Sequence, residues 1–140
     1  MQDFRKLLVW RSAHELAVMA IRHTARVPRG NAELISQLRR STASIGANIA
    51  EGAQRNTPAQ FAQFLGIALA SLAESHNHLL LLRDARLMSR EHSDEMLAIV
   101  DRLRLMLLNL QLRVRANAAK SPGHRAEYKH PPRTTLIPEP

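Results

Sequence analysis

Cysteine is absent from this 140-residue chain. That excludes disulfides, thiolate zinc sites, iron–sulfur clusters and cysteine nucleophiles, and it fits a reducing compartment. Aromatic residues are scarce: one Trp, one Tyr and three Phe make up 4% of the chain. A core must therefore be assembled from Leu, Ala, Ile and Val. Glycine occurs five times and proline only at Pro28 and Pro58 before residue 120, which leaves too little turn chemistry for an all-β fold. No stretch approaches the roughly 18 uncharged apolar residues a membrane span needs. The run Leu7-Leu8-Val9-Trp10 is cut by Arg11, far short of a signal-peptide core. The expected setting is soluble and cytoplasmic.

What is present is one domain's worth of chain with a marked basic surplus. Lys and Arg number 20 against 12 acids, a net charge of +8, and all but Lys6, Lys120 and Lys129 of the basic side chains are Arg. Most of the surplus lies in residues 1–116 rather than in the last 24 residues. A surplus of this size suits an anionic partner such as RNA or DNA. The preference for Arg over Lys is equally compatible with genome base composition.

Periodicity predicts four helices. The first covers about Phe4 to Val27, with Ala13, Ala17, Ala20, Thr24 and Val27 at steps of three and four; Pro28 and Gly30 end it. A second opens after Asn31, read as its N-cap, and runs to Gly52 or just beyond along Leu34, Leu38, Ile45 and Ile49, the line broken at Ser41 or Thr42. Thr57-Pro58-Ala59-Gln60 is a strong start signal, a capping Thr followed by Pro at the first helical position. The third helix then reaches about Arg86. Ser89 or Ser93 caps the fourth, whose seam is Met96, Val100, Leu103, Met106 or Leu107, Leu110 and Val114. Short connections make this an all-α, antiparallel up-down-up-down four-helix bundle over residues 1–116. From about Asn117 the pattern stops, and five prolines predict a flexible, basic tail over residues 117–140.

The fourth helix carries more apolar surface than one core needs. At about 100° per residue, Leu97, Leu105, Leu108 and Leu112 form a second line roughly opposite the main seam. Exposed apolar patches mark interfaces, so a homo-oligomer is expected to use this face.

Enzyme chemistry finds no support in the spacing. The only Glu-x-x-His is Glu127 with His130, outside the helices, so a di-iron bundle is excluded. His76 and His78 are two apart and diverge; Glu74 and His78 are four apart and suit a structural hydrogen bond. There is no Gly-x-Ser-x-Gly, phosphate-cradling Gly loop or His-Glu-x-x-His. The expectation is a protein without catalytic residues, metal or cofactor. Ser71 reads as a small residue permitting close helix approach.

Two polar patterns stand out. Gln37, Ser41, Ser44, Asn48, Glu51 and Arg55 descend one side of the second helix. They form either a solvated or inter-helix hydrogen-bonded stripe, or a ligand or phosphate groove at Asn48, Glu51 and Arg55. Basic residues also align: Arg22, Arg26 and Arg29 at the end of the first helix, Arg39 and Arg40 on the second, and Arg102, Arg104, Arg113 and Arg115 on the fourth. A row of cations is all that phosphate contacts require. With Trp10 the sole candidate for base stacking, sequence-specific single-strand binding is disfavoured.

The strings Asp3-Phe4-Arg5-Lys6-Leu7, Ser36-Gln37-Leu38-Arg39-Arg40, Ser44-Ile45-Gly46-Ala47-Asn48-Ile49-Ala50-Glu51-Gly52 and Phe61 to Glu74 resemble the four-helix-bundle family of 23S rRNA-intervening-sequence proteins over about residues 3–115. The family is similar in turn to the accessory variability proteins of diversity-generating retroelements, basic pentamers that engage nucleic acid and a reverse transcriptase. The resemblance implies a cytosolic homopentamer. Ala70 stands where the family pattern usually has Gly, which would loosen a helix contact, and Gly46 where it often has Pro. Two functions follow: a basic, non-enzymatic homo-oligomer associated with RNA or DNA, or a protein-interaction scaffold without nucleic-acid affinity. A small-molecule site at Asn48 and Glu51 is a third.

Overall fold

The computed structural model describes residues 2–121, and all statements of absence below refer to these residues. A short 3₁₀ turn, Phe4–Lys6, leads into α1 (Leu8–Thr24); a second, Arg29–Asn31, leads into α2 (Ala32–Ala53); α3 (Pro58–Asp84) and α4 (Arg90–Lys120) follow. Consecutive helices pack on one another and α4 closes the bundle against α1, as short antiparallel connections require. The tail expected from residue 117 is helical as far as Lys120, because Ala118, Ala119 and Lys120 are good helix formers even without an apolar repeat. The remainder of that expected tail lies outside the described residues.

The helix starts follow their local chemistry. Gln60 N–H donates to Thr57 Oγ1 (3.2 Å) with Pro58 at the first helical position. His92 N–H donates to Ser89 Oγ (3.1 Å), which selects Ser89 over Ser93 as the cap of α4. Two expectations need correction. Asn31 makes no side-chain cap; it closes the 3₁₀ turn instead, its N–H donating to Pro28 O (3.1 Å), so α2 grows directly out of that turn. The first helix begins at Leu8, not Phe4. Asp3 accepts from the Arg5 N–H (3.1 Å) and holds Phe4–Lys6 as a separate turn.

Leu16, Leu38, Ile45, Ile49, Leu65, Leu72, Leu79, Leu82, Met96, Leu103 and Leu107 are fully buried. Burial of this kind contributes about 1.5–3 kcal/mol per side chain before entropy is counted. Thr42 and Ser41 are also buried in α2, their hydroxyls donating to Leu38 O at 2.9 and 3.1 Å. Gly52 sets the approach of α2 to α3: a Cβ there would stand 2.7 Å from Phe64 Cβ and 2.8 Å from Phe61 Cδ2. Ala70 is exposed on α3, so it faces away from the bundle and loosens no contact inside it.

Candidate nucleic-acid interface

An up-down-up-down bundle brings its first and third connections to one end. Here the α1–α2 segment (25–31) and the α3–α4 turn (85–89) meet, and they share the walls of one cleft. Arg22, Arg26, Arg29 and Arg40 are exposed there, and none forms a salt bridge. Arg86 and Arg90 join them at the same end, also exposed and unpaired. Helical spacing could not find these two, because they come from the opposite hairpin; the signal was the topology itself. Arg86 has φ 59°, the left-handed conformation that terminates α3, with Leu87 N–H donating to Leu82 O (2.9 Å).

Two predicted arginines are already engaged. Arg39 reaches back to the C-terminal turn of α1, its Nε donating to Thr24 Oγ1 (3.0 Å) and its Nη2 to Ile21 O (3.4 Å). It supplies the cation that carbonyls at a helix C-terminus favour. Arg55 bonds Glu51 (2.6 Å) and lies over the Phe64 ring, 4.7 Å from its centroid. At the other end of the bundle Arg5 is paired with Asp3 (3.0 Å), while Arg113, Arg115 and Lys120 stand exposed on α4.

The polar stripe of α2 is divided between the helix interface and the surface. Ser44 and Ser71 hydroxyls are 2.9 Å apart, and Ser75 donates to Ser41 (2.8 Å), joining α2 to α3. Asn48 turns back onto Ser44, its Nδ2 donating to the carbonyl (2.8 Å) and the hydroxyl (3.0 Å). Gln37 donates to Glu33 (3.2 Å). Asn48 thus bonds back along α2, while Glu51 bonds Arg55 just beyond the end of the helix. Ser71, expected only as a small residue, is a hydrogen-bonding partner in this seam. His78 pairs with Glu74 at 3.4 Å, and its Nδ1 is buried without a partner.

Of the four leucines on the second face of α4, Leu105 and Leu112 are 58% and 63% exposed and Leu108 is 37% exposed. Leu97 is instead half-buried against the core. Gln111 donates to Ala62 O (3.1 Å), which fixes the side of α4 turned toward α3. Leu108 and Leu112 follow round the helix from there, and on α3 Ile67 is 48% exposed.

His23 and His92 stack across α1 and α4, ring centroids 3.8 Å apart and planes within 10°. Burial, then the neighbouring His92, holds His23 below its usual 6.5, against the opposing pull of Glu95 3.9 Å away. No group of three or more His, Asp or Glu suited to a metal is present, and no helix is long and apolar enough to cross a membrane.

Comparison with known proteins places this architecture. None of the curated proteins matches the chain. Among solved structures, it is similar to a protein of unknown function from the S23 ribosomal protein family of Bacteroides thetaiotaomicron VPI-5482, with 27% identity and a TM-score of 0.69. That likeness covers 74% of this chain and 98% of the other. The family profile of the 23S rRNA-intervening sequence protein matches residues 5–109, the span from the first turn to the last third of α4, and the chain belongs to that family.

Proposed function

We propose that this chain is a non-enzymatic, basic homo-oligomer that associates with RNA or DNA through phosphate contacts. The observation that carries the reading is the set of exposed arginines without carboxylate partners gathered at one end of the bundle: Arg22, Arg26, Arg29, Arg40, Arg86 and Arg90. Side chains retained as free cations by a folded surface attract a polyanion without selecting its sequence. Leu105, Leu108 and Leu112 support self-association. Burying what they leave exposed contributes about 2–5 kcal/mol per subunit before association entropy is subtracted. The resemblance to accessory variability proteins supports five subunits, a cytoplasmic setting, and a reverse transcriptase as a further partner.

Binding to a labelled duplex is measured by anisotropy over a salt series. The expected log–log slope is negative, and replacing Arg22 and Arg26 by Gln makes it shallower by about 0.9 for each phosphate that is no longer neutralised. No binding at about 50 mM salt, where such contacts are strong, overturns the reading. Sedimentation velocity tests assembly: Leu105→Glu with Leu112→Glu yields monomer from oligomer, and a wild-type monomer at micromolar concentration overturns self-association. The leucine face also suits a different protein partner. In that scaffold reading, nucleic-acid affinity is absent and the positive charge is incidental.

A further inference from the structure

A cleft of about 570 Å³ opens between the last turn of α1 and the first of α4. Three arginines from three separate segments are among the residues that line it: Arg22 from α1, Arg26 from the α1–α2 connection and Arg86 from the α3–α4 turn. His23, His92 and Ser89 complete the polar wall, and no carboxylate lines it. The adjoining cleft behind Arg86 differs in this respect, since Asp84 stands in its wall and pairs with Arg83 at 2.9 Å.

Three like charges in one concavity repel each other. Here they have neither a carboxylate partner nor an outlet into a neighbouring helix cap of the kind Arg39 has found. Arg86 sharpens the point. It occupies the left-handed position after α3 that glycine fills without strain, so the guanidinium is held there despite the backbone.

The shape of the charge selects the ligand. A phosphodiester within a nucleic-acid strand carries one negative charge and two free oxygens, and its flanking sugars lie on both sides. A phosphate monoester carries nearly two charges at neutral pH and offers three strong acceptor oxygens. That matches a cleft to which three segments each contribute an arginine, because guanidinium–phosphate hydrogen bonds are charge-assisted and directional. We propose that this cleft binds a phosphate monoester, either the terminal phosphate of a nucleic-acid strand or a small phosphorylated molecule. Only the first of these sources rests on the nucleic-acid reading above.

The test uses the full chain at constant ionic strength. A short labelled oligonucleotide with a 5′-phosphate is compared with the same strand ending in a hydroxyl, and a nucleoside monophosphate is titrated separately by calorimetry. A terminal phosphate is expected to tighten binding about tenfold. Arg86→Gly is expected to weaken both strands by the backbone contribution of one arginine and to erase the increment, so that the ratio of their affinities falls to about one, with the melting temperature no lower, since glycine suits the position. Saturable binding of the monophosphate that Arg86→Gly abolishes, with no strand bound in either form, keeps the site and removes its nucleic-acid source. Equal affinity for the two strands, together with no monophosphate binding, overturns the cleft as a monoester site and leaves the phosphate-backbone reading standing.

Discussion

Two glycines in α2 offer a comparison whose sign depends on packing alone. A Cβ on Gly46 would meet Trp10 Nε1 at 3.6 Å, Trp10 Cδ1 at 3.8 Å and Ala13 Cβ at 4.0 Å, all ordinary contact distances. Gly46→Ala therefore fills available space in a helix interior, and the reduced backbone freedom of the unfolded chain adds to stability. The expected gain is about 1 kcal/mol, or roughly 3–5 °C for a domain of this size. Gly52→Ala makes the same chemical change in the last turn of the same helix. Its methyl would stand 2.7 Å from Phe64 Cβ. That atom sits on the α3 backbone and cannot rotate aside, so α2 and α3 must separate. Overpacking of this kind costs about 1–3 kcal/mol, and the helix-propensity gain offsets only part of it near a helix end. A net loss of about 1–2 kcal/mol is expected. Urea titration followed by circular dichroism, at one fixed protein concentration because assembly shifts apparent stability, measures both. If Gly52→Ala is as stable as wild type, the close approach of α2 to the phenylalanine pair is wrong; if Gly46→Ala is destabilised, so is the packing of α1 on α2.

Arg39→Met keeps the aliphatic stem and removes the head that caps α1 through Thr24 and Ile21. It should cost about 1 kcal/mol and leave the salt slope of nucleic-acid binding unchanged; a slope reduced by about 0.9 would instead make Arg39 a phosphate ligand. His23 is held below 6.5 in the folded state, so the unfolded chain binds more protons as pH falls through that value, and stability declines with it. Melting temperatures measured from pH 7 down to pH 5 should fall less steeply in His23→Gln than in wild type, and parallel profiles would show that the stacked imidazoles do not matter to acid sensitivity.

The helices were legible because their causes are local. Thr57-Pro58 and Ser89 state their caps in neighbouring residues, and the seams of α3 and α4 repeat without a break. Legibility fell wherever a side chain's partner lay in another helix. Arg39 looked like any surface arginine until α1 supplied two acceptors 15 and 18 residues away. Ser41 and Ser44 belonged to a polar line in α2, but Ser75 and Ser71 turned that line into an interface. Leu97 lies about 20° from Leu108 but about 80° from Leu105 around the helix, and it is half-buried where Leu105 is exposed. Asn31 had the right residue type for a cap, and a 3₁₀ turn used its backbone instead.

The arrangement of helix ends also decides what an anion would feel at the arginine-rich end. There α1 and α3 present C-termini while α2 and α4 present N-termini. Each end is equivalent to about half a charge, negative at a C-terminus and positive at an N-terminus, so the four backbone contributions cancel to first order. The field at this end is therefore set by side chains: Arg22, Arg26, Arg29, Arg40, Arg86 and Arg90 against exposed carboxylates such as Glu91, Asp94 and Glu95 on the early turns of α4. Those acids favour their own helix N-terminus, and Glu95 faces His23 rather than a guanidinium. Asp84 is likewise taken by Arg83, and among the described residues none of the six arginines forms a salt bridge. Affinity for a phosphate at this end should accordingly follow the number of arginines retained, not the number of helix termini exposed.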